Sequence, residues 1–464
     1  MSQQYDLIVI GSGPGGYVAA ARSASLGLKT AIVEKDPALG GTCLHRGCIP
    51  TKALLHAADT FDELKHAARI GIKSSGIEVD WSEVQKYKER VVNLNAGGVS
   101  HLMKAKGIDV IEGFGLVKNK NLIEVKTKHE TKLLATKNIL LAVGSKPRDL
   151  PNTPSSSRIL NSDSVLSLKQ IPGSLTIIGG GVIGIEFASI FARFGTKVTI
   201  IEAMSRILAP ADADCSKELK VQLEKQGVVI HTNAKVEKVS NKSEQAHVNF
   251  LNDQGASVQI NSDYVLISIG RNPLTTNIGL ENTAVKLDRG FVVVDSFMAS
   301  HESNIYAIGD CINTPWLAHV ASKEGLIAAD TIAGLRVDPI NYDHTPSCVY
   351  SEPPVAWAGL TEEQAKERGL DVKISKFDFA RNAKAGILQK NRGFVKFISD
   401  KKYGEILGVH IIGPQATELL AEPAFAMQME ATIDDIANTI HAHPTLYETI
   451  YEAALNAVGR PIHG

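Results

Sequence analysis

Cys43 and Cys48 are separated by four residues in the stretch GGTCLHRGCIPTK. Two sulfurs this close can cycle between dithiol and disulfide, form half of a zinc site, or lie inert in a core. A disulfide needs Cα atoms about 4.4–6.8 Å apart. Residues five apart on one ideal helix are separated by about 7.5 Å along its axis and point to different faces. Bridging therefore requires an irregular segment, and Gly47 supplies the freedom for one. Pro50 suits the first turn of a following helix. A helix N-terminus beside a thiol lowers its pKa and favours a reactive thiolate. Zinc would need two further ligands, and Cys215, Cys311 and Cys348 stand alone, without a C-x-x-C pattern. Those three read as small core or surface residues.

A second group lies near the end of the chain, in IHAHPTLYETIYEAALNA, where His441, His443 and Glu448 cluster just ahead of a helical pattern. Histidine is the side chain best tuned to move a proton near neutral pH. A carboxylate five residues on can orient its ring. Two histidines at this spacing could also ligate a metal, but no third ligand accompanies them, and no metal is expected.

The elements that must position these groups begin at Tyr5. The run YDLIVIGSGPGGYVAAARSASLGLKTAIVEK reads as a buried strand, a glycine turn, an Ala-rich helix and a second strand ending at Glu34. Gly11 allows the tight turn, Gly13 lets the backbone approach a pyrophosphate, and Gly16 lets the helix pack on the sheet. Phosphates then sit on the helix N-terminus. Glu34, 23 residues beyond Gly11, falls where a carboxylate accepts hydrogen bonds from an adenosine ribose. The arrangement returns 168 residues later, with Gly179, Gly181, Gly184 and Glu202 in the same roles. Leu140–Pro147 (LLAVGSKP) and Leu266–Pro273 (LISIGRNP) echo one another as well, each a short strand closing its lobe with a Gly turn and a Pro. Two dinucleotide sites in one chain imply that electrons pass between two bound cofactors.

Composition limits the alternatives. The chain has 464 residues, 44% hydrophobic and 21% charged, which is ordinary for globular proteins and long enough for about three domains. Forty-nine basic against 50 acidic side chains, with no basic stripe, exclude the electrostatic footprint of a nucleic-acid binder. No apolar run approaches the roughly 18 residues of a membrane helix. The first residues lack the basic flank of a signal peptide. Five cysteines are too few for a secreted disulfide scaffold, so a cytoplasmic location is expected.

GGTCLHRGCIPTK resembles the redox-active disulfide motif of the pyridine nucleotide-disulfide oxidoreductases, a flavoenzyme family, and the resemblance covers the whole chain. It implies an α/β fold with two Rossmann-like dinucleotide-binding domains and a C-terminal α+β dimerisation domain. By this resemblance, residues 1–147 bind FAD, with the chain returning at about 277–345. Residues 148–276 bind NAD, and 346–464 form the dimer interface. Cys43 and Cys48 would form the redox disulfide against one flavin face, with the nicotinamide on the other. NIYAIGDC, with Asp310, resembles the second flavin-contacting segment, and Leu317, Ala318 and His319 the segment along the flavin ring. Lys52 matches the lysine near the flavin N5, and Glu186 its partner. Lys35, Gly41, Thr42, Gly115, Ala142 and Gly144 complete the expected FAD contacts. Gly180, Val182, Ile183, Val236, Gly270 and Arg271 join Gly179, Gly181, Gly184 and Glu202 on the NAD side. HAHPTLYE resembles the family's HPT motif, which gives His443 the role of base and Glu448 that of its holder, supplied by the other subunit of a homodimer.

NADP-dependent members place a pair of arginines after the second acid, where this chain has Ala203, Met204, Ser205 and a single Arg206. Members needing an extra thiol pair at the tail carry cysteines there, and none follows Cys348. The implied activity is oxidation of protein-bound dihydrolipoamide with reduction of NAD. The implied partners are the lipoyl domain and acyltransferase core of a 2-oxo acid dehydrogenase complex, or the lipoyl protein of glycine cleavage. The alternatives are an NADH-dependent reductase of another small disulfide and a flavin-loaded docking component of a multienzyme assembly. No N-terminal lipoyl domain is expected. Three positions depart from the family pattern: His45 for Asn, Thr51 for Ser and Tyr447 for Ser.

Overall fold

Leu7–Ile10 and Leu175–Ile178 are unbroken apolar runs, the pattern of strands covered on both faces. In the computed structural model, which describes residues 4–73, 75–242 and 244–463, each run is the middle of a parallel sheet. Strand Gln4–Ile10 pairs on one side with Thr30–Glu34, which pairs with Asp109–Glu112. On the other side it pairs with Thr131–Leu141, which pairs with Ile305–Ala307. Strand Ser174–Ile178 repeats the order, with Lys197–Ile201 and Val229–His231 on one side and Tyr264–Ile267 and Ile159–Leu160 on the other. Every one of these pairings is parallel. In both sheets an antiparallel meander intervenes in the chain before the fourth of these strands: Phe114–Asn119, Leu122–Lys126 and the start of Thr131–Leu141 in one copy, Lys235–Lys242, Gln245–Leu251 and Ser257–Ser262 in the other.

Helix Pro14–Ser25 crosses from the first strand to the second and buries Gly15, Gly16, Ala19, Ala20 and Ser23. These small residues let helix Ala318–Ile332 come close: a Cβ on Gly325 would lie 2.6 Å from the Gly15 carbonyl oxygen. The C-terminal part is a five-stranded antiparallel sheet in the order Ser347–Val349, Val355–Gly359, Ile406–Ile412, Phe394–Asp400, Val372–Asp378. Helix Glu448–Ala457 buries Ile450, Ala453, Ala454 and Ala457, an i, i+3, i+4, i+7 stripe, in one core with Phe377, Val395 and Phe397. The architecture is α/β, two parallel-sheet lobes of dinucleotide-binding order followed by an α+β lobe.

The chain forms two compact units. One takes the chain up to Leu54, Ser82–Arg148 and Gly270–Tyr342, and so holds the first parallel sheet. The other takes Leu55–Trp81, Asp149–Ile269 and the chain from Asp343 onward, which places the second parallel sheet and the antiparallel sheet in one unit. Within it, Lys396 on strand Phe394–Asp400 is 2% exposed and reaches Asp212 at 2.9 Å, Asp214 at 3.1 Å and Glu362 at 2.8 Å. Among the described residues no helix is long and apolar enough to cross a membrane.

Candidate active site

Gly11 ends the first strand at φ +101°, its N–H donating to the Val33 carbonyl at 2.8 Å. A Cβ on Gly16 would lie 2.0 Å from the Gly11 carbonyl oxygen, so the helix starts directly against the turn. The second copy has the same dimensions: Gly179 sits at φ +104° and donates to Ile201 at 2.9 Å, and a Cβ on Gly184 would lie 2.0 Å from the Gly179 oxygen. Gly13 and Gly181 are the N-cap residues, and no side chain caps either helix. Their chain neighbours aside, no atom of the described residues lies within 4 Å of where a Cβ on either would stand. Open N-terminal N–H groups behind a glycine turn suit an anionic pyrophosphate, so both loops fit a dinucleotide. Val182 and Ile183 form the first turn of the second helix.

The two acids also brace their own loops. Glu34, 6% exposed, accepts from the Ser12 N–H at 2.9 Å and hydroxyl at 2.6 Å through Oε2, and from the Asp36 N–H at 2.9 Å through Oε1. Glu202 accepts from the Gly180 N–H at 2.6 Å and the Met204 N–H at 2.7 Å. A ribose-binding reading of these acids does not reveal this second task; a Ser directly after the first glycine was its only sequence signal. Lys35 is exposed and pairs with Asp36 at 3.0 Å.

The cysteines lie on two successive helices, Cys43 within Gly41–Arg46 and Cys48 as the first residue of Cys48–His66, with the break at Gly47. A Cβ on Gly47 would stand 3.1 Å from the Thr42 oxygen. Gly41 meets the phosphate loop itself: its Cβ would lie 2.7 Å from the Gly13 Cα. Thr42 follows, and the thiol pair is thereby seated on the first nucleotide loop. Cys43 is pushed well above the ordinary thiol pKa by its side-chain hydrogen bond with Cys48, by burial and by the neighbouring sulfur. The Cys48 amide and the Lys52 charge act the other way. Two adjacent thiolates would repel each other. Tyr17, one turn into the first helix, is raised by burial and then by Cys43. Nothing in its local spacing marks it. Of the departures from the family pattern, Thr51 donates its hydroxyl to the Gly47 carbonyl at 2.6 Å, and the His45 ring is 2.8 Å from the Leu39 carbonyl oxygen.

Around the first sheet, the Ala142 N–H donates to Ile10 at 2.8 Å, Gly144 turns at φ +71°, and Gly115 packs its Cα side toward Ile10 and Val33. Asp310 accepts from the Ser145 hydroxyl at 2.5 Å. Its carboxyl is raised by burial, with Ser145 and the Arg271 charge opposing. Arg271 donates to the Ser145 hydroxyl at 2.7 Å and carbonyl at 2.9 Å, from a strand, Arg271–Pro273, paired with Ser145–Pro147. Leu317 caps helix Ala318–Ile332, which begins with Ala318 and His319. Glu324 in that helix is fully buried and accepts from the Gly309 N–H at 2.7 Å and the Tyr342 hydroxyl at 2.9 Å. Ser145 and Glu324 carry no sequence signal of their own. In the other unit, Glu186 is 5% exposed and accepts from the Tyr350 N–H at 3.1 Å. Val236 pairs with Phe250 in the meander, and Gly270 follows strand Tyr264–Ile267 at φ +108°.

His443 Nδ1 lies 2.9 Å from Glu448 Oε1. Glu448 Oε2 accepts from the Thr445 N–H at 2.9 Å, and Asn382 donates to the Thr445 carbonyl at 3.0 Å. Burial would raise the Glu448 carboxyl, but the Thr445 amide, the His443 bond and the charges of His443 and His441 outweigh it and hold it below the ordinary range. The His443 ring is largely exposed. His441, nearly buried, bonds instead to Glu422 at 2.8 Å, which raises its pKa. The two neighbouring histidines therefore have separate carboxylate partners.

A dithiol on one nucleotide loop, a second such loop and a carboxylate-held imidazole define a dinucleotide-dependent oxidoreductase acting on sulfur. Residues 5–325 match the family model "Pyridine nucleotide-disulphide oxidoreductase" and residues 345–454 its dimerisation domain. The chain is 43% identical to a dihydrolipoyl dehydrogenase of Bacillus subtilis, with both chains covered in full. It is 39% identical to the mitochondrial dihydrolipoyl dehydrogenase of Pisum sativum, covering all of this chain and 93% of that one. Among solved structures, the HOCl-induced flavoprotein disulfide reductase RclA from Escherichia coli is 30% identical with a TM-score of 0.86, covering 97% of this chain and 99% of that one. The chain belongs to the pyridine nucleotide-disulphide oxidoreductase family.

Proposed function

We propose that this chain is a flavoprotein that oxidises protein-bound dihydrolipoamide and reduces NAD. The observation that carries this reading is the Cys43–Cys48 pair seated on the first phosphate loop through Gly41 and Gly13. Full-length relatives called dihydrolipoyl dehydrogenase support the substrate. Glu202 followed by a single arginine supports NAD. Tightly bound, non-covalent FAD belongs on the loop of Gly11, Gly13 and Gly16 with Glu34, and NAD on that of Gly179, Gly181 and Gly184 with Glu202.

Glu448 holds the His443 ring through Nδ1 and leaves Nε2 to take a proton from the incoming dithiol. The substrate thiolate attacks the Cys43 sulfur of a Cys43–Cys48 disulfide, and Cys48 leaves as a thiolate. The second substrate thiol attacks the substrate sulfur of the mixed disulfide and releases Cys43. One substrate disulfide forms and one protein disulfide is reduced. FAD, when bound, carries the electron pair from the reduced cysteines to the nicotinamide. In this reading His443 and Glu448 act in the site of a second subunit, so the working form is a homodimer, and a lipoyl domain of a 2-oxo acid dehydrogenase complex or of glycine cleavage is its partner. The compartment is the cytoplasm, since five cysteines in a chain this long are too few for a secreted disulfide scaffold.

Cys48→Ser tests the mechanism: the purified variant should keep its flavin spectrum and lose dihydrolipoamide oxidation, and near wild-type turnover would sink the scheme. The likeness to a flavoprotein disulfide reductase favours one second reading, an NADH-dependent reductase of another small disulfide. Anaerobic titration separates the two, since that enzyme would be reduced by NADH and untouched by dihydrolipoamide.

A further inference from the structure

The single arginine after Glu202 is not free. Arg206 donates from Nη1 to Glu363 Oε1 and from Nη2 to Glu363 Oε2, both at 2.7 Å, and from Nη2 to the Ala209 carbonyl at 3.2 Å. Glu363 lies 157 residues away in the chain, in the first turn of helix Glu362–Glu367. Both residues belong to the same compact unit. The loop that carries Arg206 is folded onto the acid before it, because the Met204 N–H donates to Glu202 Oε1 at 2.7 Å.

We propose that Glu363 is a specificity-determining residue that keeps the second nucleotide site selective for NAD by occupying Arg206. A guanidinium recognises a phosphate through the same two-pronged fork that it presents to a carboxylate. With both prongs on Glu363, the fork that would hold two oxygens of a 2'-phosphate is filled. The position is fixed from behind. Helix Glu362–Glu367 is capped by Thr361, whose hydroxyl accepts from the Gln364 N–H while Gln364 accepts from the Thr361 N–H. The adjacent Glu362 bonds to buried Lys396 at 2.8 Å, and its N–H donates to Asp212 at 3.2 Å. Selectivity thus has two parts: Glu202 repels a 2'-phosphate, and Glu363 withholds the loop's only cation from it. Glu363 contacts no nucleotide in this scheme and acts through Arg206.

This rests on the NAD reading above, and the test separates the two. ADP-ribose and its 2'-phosphate are redox-inert and report binding without turnover. Their dissociation constants are measured by calorimetry on the flavin-loaded enzyme for wild type, Glu363→Ala, Arg206→Gln and the double variant. Wild type should prefer ADP-ribose. Glu363→Ala should tighten the 2'-phosphate ligand about fivefold, the scale for releasing a half-exposed ion pair, and leave ADP-ribose unchanged. The gain should shrink at high salt and vanish in the double variant, since it runs through Arg206. No gain in Glu363→Ala, or a gain that survives loss of Arg206, overturns the proposal while leaving NAD preference standing. A wild type that binds both ligands equally overturns the NAD reading and this proposal with it.

Discussion

One steric perturbation, applied at two equivalent glycines, should produce two different losses. In Gly16→Ala the new Cβ would stand 2.0 Å from the Gly11 carbonyl oxygen and 3.2 Å from the Ala142 Cβ. In Gly184→Ala it would stand 2.0 Å from the Gly179 oxygen and 2.9 Å from the Ser268 hydroxyl. Real Cβ atoms do not approach closer than 3.0 Å, so each turn must open by about an ångström. Overpacking of this kind costs about 1–3 kcal/mol, and if the shift falls on the phosphate loop, cofactor affinity drops about 5- to 150-fold. Gly16→Ala should therefore purify with little flavin absorbance. Gly184→Ala should keep its flavin, become reduced by dihydrolipoamide, and need far more NAD to be reoxidised. Gly13→Ala is the control, because among the described residues no atom beyond its chain neighbours lies within 4 Å of its Cβ position. It should unfold like wild type without cofactor and still bind FAD weakly, since only a bound pyrophosphate would meet the methyl group. The assays are the visible spectrum, NAD titration of the reduced enzyme, and thermal unfolding of the flavin-free protein. Normal flavin content in Gly16→Ala, or the same phenotype at both sites, would refute the two-site reasoning.

Two further outcomes follow from the C-terminal part. Glu448→Ala removes the acceptor that fixes the His443 ring, so kcat/KM for dihydrolipoamide should fall about 100-fold with the flavin spectrum unaltered; a loss below tenfold would show that His443 is placed by something else. Lys396→Met leaves Asp212, 1% exposed, without its cation and should lower stability by about 3 kcal/mol in denaturant unfolding. In the wild type, burial works to raise the Asp212 carboxyl, but the charges of His410 and Lys396 and the bond to Lys396 prevail and hold it below the ordinary range. A depressed carboxylate contributes stability that is present above its unfolded pKa, near 4, and is lost as pH falls through its lower folded value. Wild type should thus lose stability steeply below about pH 4, and the variant less so; equal acid sensitivity would assign that loss to other carboxylates.

How much of this could be read in the chain depended on distance along it. The glycine turns are local: the strand, the positive-φ glycine and the close helix contact all fall within a dozen residues, and their recurrence 168 residues later made the α/β class legible. His443 and Glu448 are five apart and meet at 2.9 Å for the same reason. The bracing of the loops by Glu34 and Glu202 was hidden, because it depends on which backbone N–H the fold turns inward. The effect of one cysteine on the other was also hidden: helix Cys48–His66 begins where a helix start was expected, yet the Cys43 thiol is raised by its neighbour. Arg206 was visible and Glu363 was not, since nothing in a local pattern pairs residues 157 positions apart.

The two loops are the same device with different continuations, and the division of labour follows from what comes after each acid. After Glu34 the chain turns through Gly40 and Gly41 back onto its own phosphate loop and places a thiol pair there. A cofactor on that loop is bound beside an electron donor built into the protein. After Glu202 the chain carries no such cysteine pair. It folds Met204 onto the acid and fastens Arg206 to a helix of the C-terminal lobe. A cofactor on that loop meets only groups that select it, which suits a nucleotide that must arrive, accept a hydride and leave. The two cradles are equivalent in build, and on the proposed reading the residues just beyond each suit one to a resident cofactor and the other to an exchanging one.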